Sequence, residues 1–210
     1  MDRVASFDPT DAVRAALRAD PLVWTVTLVG SRANGTATAL SDWDYHVDSS
    51  DPAAVSLRLP DLTRPLRPLS QLWDPLARHP VYMLLLAATE THVVKVDLLL
   101  DLPQRRRPAD PPPVTATTLP GIDAHFWDWH LWLGSKRLRG NETLVQTELA
   151  KMWDYLLKPL GSVTAPTTQQ GAIAEYLRLR PRLERRHNVH IAPSLGHAVR
   201  QTLAAIGLQT

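Results

Sequence analysis

Two aspartates one residue apart, Asp42-Trp-Asp44, open a stretch in which apolar and polar residues alternate, Trp43-Asp-Tyr-His-Val47. Alternation of this kind reads as a strand, and in a strand side chains two residues apart share a face. Two carboxylates on one face repel each other, and burial raises that cost. A divalent cation between them removes the repulsion. Magnesium takes oxygen ligands and keeps waters and substrate phosphates in its shell. Two such ions can activate an attacking hydroxyl and stabilise a leaving pyrophosphate. A third acid is then expected from a neighbouring strand. Asp97, within the run Val94-Lys-Val-Asp-Leu-Leu-Leu100, is the first choice, and Asp101 on the same face is the second. Ahead of the pair, Gly30-Ser31 ends the β-branched run Val23–Val29. A glycine lets the backbone approach a phosphate closely, and the following amides with the Ser31 hydroxyl can cradle it. A helical turn beginning there adds its N-terminus to anion binding, and Arg32 is placed for the same phosphates.

The elements that must position these residues follow from periodicity and punctuation. A capped helix is expected from Asp8 to about Arg18, and strands at 23–29 and 42–47. Between the strands, 32–40 reads as a loop with a helical turn. Residues 51–79 carry several prolines and an expected helix at 69–78. Strands at 81–87 and 92–100 are joined by a hairpin through Thr89-Glu-Thr91. Composition then changes: Leu102-Pro-Gln-Arg-Arg-Arg-Pro-Ala-Asp-Pro-Pro-Pro113 cannot be helix or central strand, because proline fixes φ and lacks a donor. Beyond it helices are expected at 122–139, 142–157, 168–186 (with Pro181 bending or breaking it) and 194–206, with Ser194 as an N-cap. The fold class is α+β: an N-terminal domain over 1–102, a Pro-rich linker over 103–120 and a helical domain over 121–210.

Composition limits the function classes. The chain has 210 residues, 44% of them apolar, and a net charge of +2. That weak excess suits an anionic ligand but not a long nucleic acid, for which a basic, aromatic-lined groove is also missing. With no cysteine, disulfides and thiolate zinc sites are excluded. No apolar run reaches the ~18–20 residues needed to span a bilayer. Met1-Asp-Arg3 does not begin a signal peptide. A cytoplasmic protein without a membrane partner is the expectation.

Gly30-Ser31, ten residues (32–41), Asp42-Trp-Asp44 and a strand-borne Asp97 together resemble the DNA polymerase β-type nucleotidyltransferase superfamily. Its signature is Gly-Ser, a spacer of about this length, and Asp-x-Asp with apolar flanks, here Trp43 and Tyr45. The resemblance spans about residues 10–102. It implies a mixed sheet against helices, two Mg²⁺ ions on Asp42, Asp44 and Asp97, and transfer of a nucleoside monophosphate, AMP if the donor is ATP, to an acceptor hydroxyl. In the second half, Phe126-Trp127, Lys136 and Arg139-Gly-Asn-Glu142 are similar to the helical domain of streptomycin-type aminoglycoside adenylyltransferases. That similarity implies that Lys136 reaches the triphosphate and that acids on these helices face a small-molecule acceptor, an aminoglycoside-like antibiotic among the candidates. Adenylylation of a protein or RNA, as in toxin–antitoxin pairs, and a non-catalytic nucleotide-binding module are the alternatives. A homodimer is compatible with each.

A general base should be an acid in the cleft. Glu148 lies among Leu144, Val145, Met152 and Tyr155 on its helix, and Asp128, between tryptophans, is its rival; pairing with a neighbouring Lys or Arg would explain either. The cations Lys136, Arg137 and Arg139 also suit a helix C-terminus whatever the function. Trp127, Trp129 and Trp132 read as helix-packing core. His46 continues the face of Asp42 and Asp44 and reads as a hydrogen-bonded support, and Asp48 as a solvated strand end. Gly134-Ser135 repeats the Gly-Ser pair inside a helix with no Asp-x-Asp after it. Arg182 to His187 and Arg185 to His190 match the Arg-x4-His spacing of HEPN ribonucleases, a pattern that arises easily in an Arg-rich stretch.

Overall fold

The computed structural model describes residues 8–89, 92–104 and 110–208. The expected hairpin turn at 90–91 and part of the expected linker, 105–109, lie outside them. The chain divides into two compact units. Among the described residues, one comprises 8–37 and 42–104, and the other 38–41 and 110–208.

The first unit is built on a five-stranded mixed sheet in the order β1-β2-β5-β4-β3. The strands are β1 (Val23–Val29), β2 (Trp43–Ser49), β3 (Ser70–Trp73), β4 (Val81–Thr89) and β5 (His92–Leu100). β2 and β5 run parallel, and the other neighbouring pairs are antiparallel. Along β2, Trp43, Tyr45 and Val47 are buried while Asp44, His46 and Asp48 are half-buried on the opposite face. Val94, Val96 and Leu98 of β5 join the same core, together with Val13 and Leu17 of α1 (Thr10–Arg18) and Val55 and Leu59 of α3 (Pro52–Leu62). The two helices therefore cover one face of the sheet, leaving the polar residues of β2 and β5 on the other.

Two local expectations change. The segment 69–78 is not helical: Ser70–Trp73 pairs antiparallel with β4, Ser70 opposite Leu85 and Trp73 opposite Tyr82. Pro75 disfavours helical backbone at Asp74, so too few residues remain to propagate a helix. The helix of this region is instead α3. Pro52 occupies its first turn, and the Asp51 side chain accepts from the Ala54 amide at 2.9 Å, a cap absent from the sequence reading.

The second unit contains α4 (Leu119–Leu138), α5 (Glu142–Met152) with a π-helical turn over Trp153–Leu157, α6 (Gln169–His187) and α7 (Ser194–Ala205). α4 begins three residues before its expected start at Ile122, inside the expected linker, with Pro120 in its first turn. The expected α-helix to Leu157 thus ends at Met152 and continues as the π turn. α6 runs unbroken through Pro181. Ser194 is the first residue of α7 rather than its cap, a position held by Pro193 with no side-chain bond. α4 is buried around most of its circumference, as expected of a helix enclosed by others. Phe126 stacks on Tyr176 of α6 with centroids 4.1 Å apart. Gly134 explains itself here: a methyl group would meet Leu203 and Leu40, each at 2.7 Å, so this Gly-Ser is a packing contact. Among the described residues no helix is long and apolar enough to cross a membrane.

His130 of α4 is fully buried, and neither ring nitrogen has a hydrogen-bond partner. Burial holds its pKa down at about 3 against an ordinary 6.5. The folded state thus excludes a proton that the unfolded chain accepts. The resulting stability is complete above about 6.5 and is lost as pH falls toward 3, by roughly 1.4 kcal/mol per pH unit. The melting temperature should fall between pH 7 and 5, and His130→Leu should reduce that slope in thermal melts across the range.

Candidate metal centre

The register of β2 on β5 places Asp44 opposite Asp97. Neighbouring residues on a pleated sheet share a face, so these two acids, distant in sequence, point to the same side. Asp42 lies one residue before β2, outside the ladder rather than within the strand as expected. Its carboxylate nevertheless converges: Asp42, Asp44 and Asp97 each offer an oxygen, and the three atoms lie within 4.8 Å of one another. The donor set consists only of carboxylate oxygens, which suits a hard divalent cation. Asp42 Oδ1 is buried without a hydrogen-bond partner, which a cation would supply. Three carboxylates in this space repel one another, and a dication would relieve that repulsion. The residues therefore fit a Mg²⁺ site.

No family model matches the chain, and no curated protein matches it. The site is therefore interpreted from its own chemistry.

Gly30 explains the close approach of α2 (Gly30–Ala33) to the acids. It adopts φ +69°, and a Cβ at this position would run into the Asp44 carboxylate. The absent side chain thus makes room for Asp44, a reason invisible in the Gly-Ser motif itself. Gly30→Ala should cost about 1–2 kcal/mol for the left-handed backbone. The carboxylate, being the movable partner, should be displaced, so divalent-cation affinity should fall along with stability. Chemical denaturation and a Mn²⁺ titration measure the two losses separately.

Arg32 stacks on the Trp43 ring, its guanidinium carbon 4.1 Å from the centroid. Burial lowers its pKa, opposed by the charges of Asp42, Tyr45, Asp8 and Asp44. It is thus held at the acids by an aromatic face on one side and their field on the other. Ser31 is the second residue of the four-residue helix α2.

Asp101 does not join the three acids. It follows the end of β5 and meets His46, with Nε2 3.2 Å from Asp101 Oδ1 and Nδ1 3.1 Å from Asp48 Oδ1. His46 is thus hydrogen-bonded, as expected, but to Asp101. Asp48, near the end of β2, remains partly exposed as expected and accepts from the Thr25 hydroxyl at 2.5 Å. The cluster holds one residue absent from the sequence reading. Lys95 is buried, its Nζ 3.6 Å from Asp42 Oδ2 and 3.2 Å from Asp97 Oδ2. A signal was available: alternation in Val94-Lys-Val-Asp97 puts Lys95 on the face of Asp97, and a lysine inside an apolar strand needs an anion.

The remaining candidates belong to the helical unit. Lys136 lies over the Trp132 ring at 4.6 Å. Trp127 and Trp129 are buried, as a packing role requires. Glu148 is partly buried and pairs with Lys151 at 2.5 Å, the simple pairing that competes with a catalytic role. Asp128 is buried with His125 Nδ1 3.8 Å from its Oδ2. Residues 38–41, the end of the spacer before Asp42, group with this unit: Arg139 Nη2 donates to Ser41 Oγ at 3.0 Å.

Proposed function

We propose that this protein is a divalent-cation-dependent nucleotidyltransferase that moves a nucleoside monophosphate, AMP where ATP is the donor, onto a hydroxyl of a small molecule. The observation that carries this reading is the convergence of Asp42, Asp44 and Asp97 within 4.8 Å, with Gly30 against Asp44. Asp42 and Asp44 would hold two Mg²⁺ ions, and Asp97 would contribute to one of them. When bound, these ions neutralise the triphosphate and lower the pKa of the acceptor hydroxyl. The amides that follow Gly30, with the Ser31 hydroxyl, bind the triphosphate oxygens. Arg32, stacked on Trp43, adds positive charge beside the same acids. The resemblance to the adenylyltransferase helical domain is what would make Lys136 a phosphate ligand and Glu148 or Asp128 the acceptor base. The resemblance to streptomycin-type adenylyltransferases supports an acceptor rich in hydroxyls, of the aminoglycoside kind.

The test is incubation with radiolabelled ATP, Mg²⁺ and a panel of aminoglycosides, nucleosides and cell extract. Label on a small molecule is the expected result. Label on a polypeptide or RNA would transfer the reading to macromolecular adenylylation. Nucleotide binding without label on any acceptor would reduce it to a binding module. Among the candidate bases, the residue whose Gln or Asn variant loses turnover while retaining ATP binding is the one in use.

A further inference from the structure

Resting on the two-cation reading above, we propose that Lys95 is the resident counter-cation of the acid cluster: it holds Asp42 and Asp97 together in the metal-free protein and gives them up when a divalent cation binds. Lys95 and Asp97 alternate onto one face of β5, and Asp97 stands opposite Asp44 on β2. The Lys95 ammonium bridges two of the three acids, Nζ to Asp42 Oδ2 at 3.6 Å and to Asp97 Oδ2 at 3.2 Å. Asp42 and Asp97 arrive from separate elements, so one buried cation between them fixes their spacing.

The same two carboxylates are among those that would hold a metal. An ammonium and a dication on the same two carboxylates oppose each other, because like charges at such distances repel strongly in a partly buried site. Binding of the first cation is therefore an exchange in which Lys95 releases the carboxylates. Exchange weakens metal affinity, since the resident charge must be displaced, and it keeps the acids from separating when no metal is present. Lys95 is thus a positioning residue that sets cation affinity.

Lys95→Met keeps the stem and removes the charge. In the full chain with Mn²⁺ alone as the probe, calorimetric titration should give tighter binding than wild type, by roughly tenfold or more. Without metal, the variant should melt lower than wild type, and adding Asp97→Asn to it should recover part of that loss by removing one uncompensated charge. Equal or weaker Mn²⁺ binding by Lys95→Met, or no recovery on adding Asp97→Asn, would overturn the proposal. Recovery together with no Mn²⁺ binding by either protein would overturn the metal reading of the site and, with it, the exchange, while leaving the Lys95–Asp97 pair as structural. Should Lys95→Met fail to fold, Asp97→Asn against Lys95→Met/Asp97→Asn makes the same Mn²⁺ comparison.

Discussion

If the proposed nucleotidyl transfer is this protein's activity, Asp44→Asn is expected to lower it by about a thousandfold or more while leaving the metal-free protein at least as stable as wild type. The two effects have one cause. Asp44 shares a 4.8 Å space with Asp42 and Asp97, and like charges so placed disfavour one another until a cation arrives. Replacing the carboxylate with an isosteric amide relieves repulsion in the metal-free state, an effect on the order of 0.5–2 kcal/mol. On the proposed function it also removes one of the carboxylates that would hold the ions, whose transition-state stabilisation would amount to several kcal/mol, and that is the expected origin of the rate loss. Asp42→Asn should lose comparable activity and also lose its pairing with Lys95, which approaches that carboxylate at 3.6 Å. Initial rates at saturating Mg²⁺ and thermal melts in chelator provide both readouts. A loss of activity that merely followed a loss of stability would count against the metal role.

The largest expected loss of stability lies in the helical unit. Asp123 is almost wholly buried in α4 and organises three neighbours. Its Oδ1 accepts from Tyr176 Oη at 2.6 Å and from Trp127 Nε1 at 3.2 Å, and lies 3.5 Å from Arg180 Nη1. Burial raises the Asp123 pKa, opposed by the Tyr176 hydrogen bond and by Arg180. Burial raises that of Tyr176 well above its ordinary value, with Asp123 adding to the effect. Arg180 is itself buried, with Glu184 3.5 Å from its Nε and the Ile191 carbonyl accepting from Nη2. Asp123→Ala leaves a buried guanidinium with half its compensation and two ring donors without an acceptor. The expected cost is about 3–5 kcal/mol, a large share of the stability of an ordinary domain. Asp123→Asn keeps an acceptor oxygen for Tyr176 and should cost less. Urea denaturation separates the cases, with a lower midpoint at unchanged slope expected for both variants and a larger shift for alanine.

How much of this was readable in advance depends on how local each feature is. The strands at 23–29 and 92–100 were evident, since β-branched and apolar runs bounded by polar residues carry their own signal. The helical half was evident as well, because Gly140, Pro159 and Gly161 punctuate it. The short edge strand at Ser70–Trp73 was not, because four residues carry no period and only pairing with β4 makes them a strand. Pro181 does not break the helix for a related reason: the packing of α6, with Leu179 and Leu183 buried around it, outweighs the lost backbone bond.

The site divides along the same line. The sequence by itself determined that Asp44 lies on the polar face of a strand, that Asp42 sits beside it and that a Gly-Ser turn precedes them, because these depend on alternation and on neighbouring residues. Tertiary structure decided that Asp97 rather than Asp101 completes the cluster, that Lys95 enters it, that Asp101 turns to His46, and that Gly30 is glycine to make room for Asp44. The physical reason is register: which residues face each other across β2 and β5 is set by the packing of both strands against α1 and α3, and a one-residue slip would turn Asp97 and Lys95 into the core.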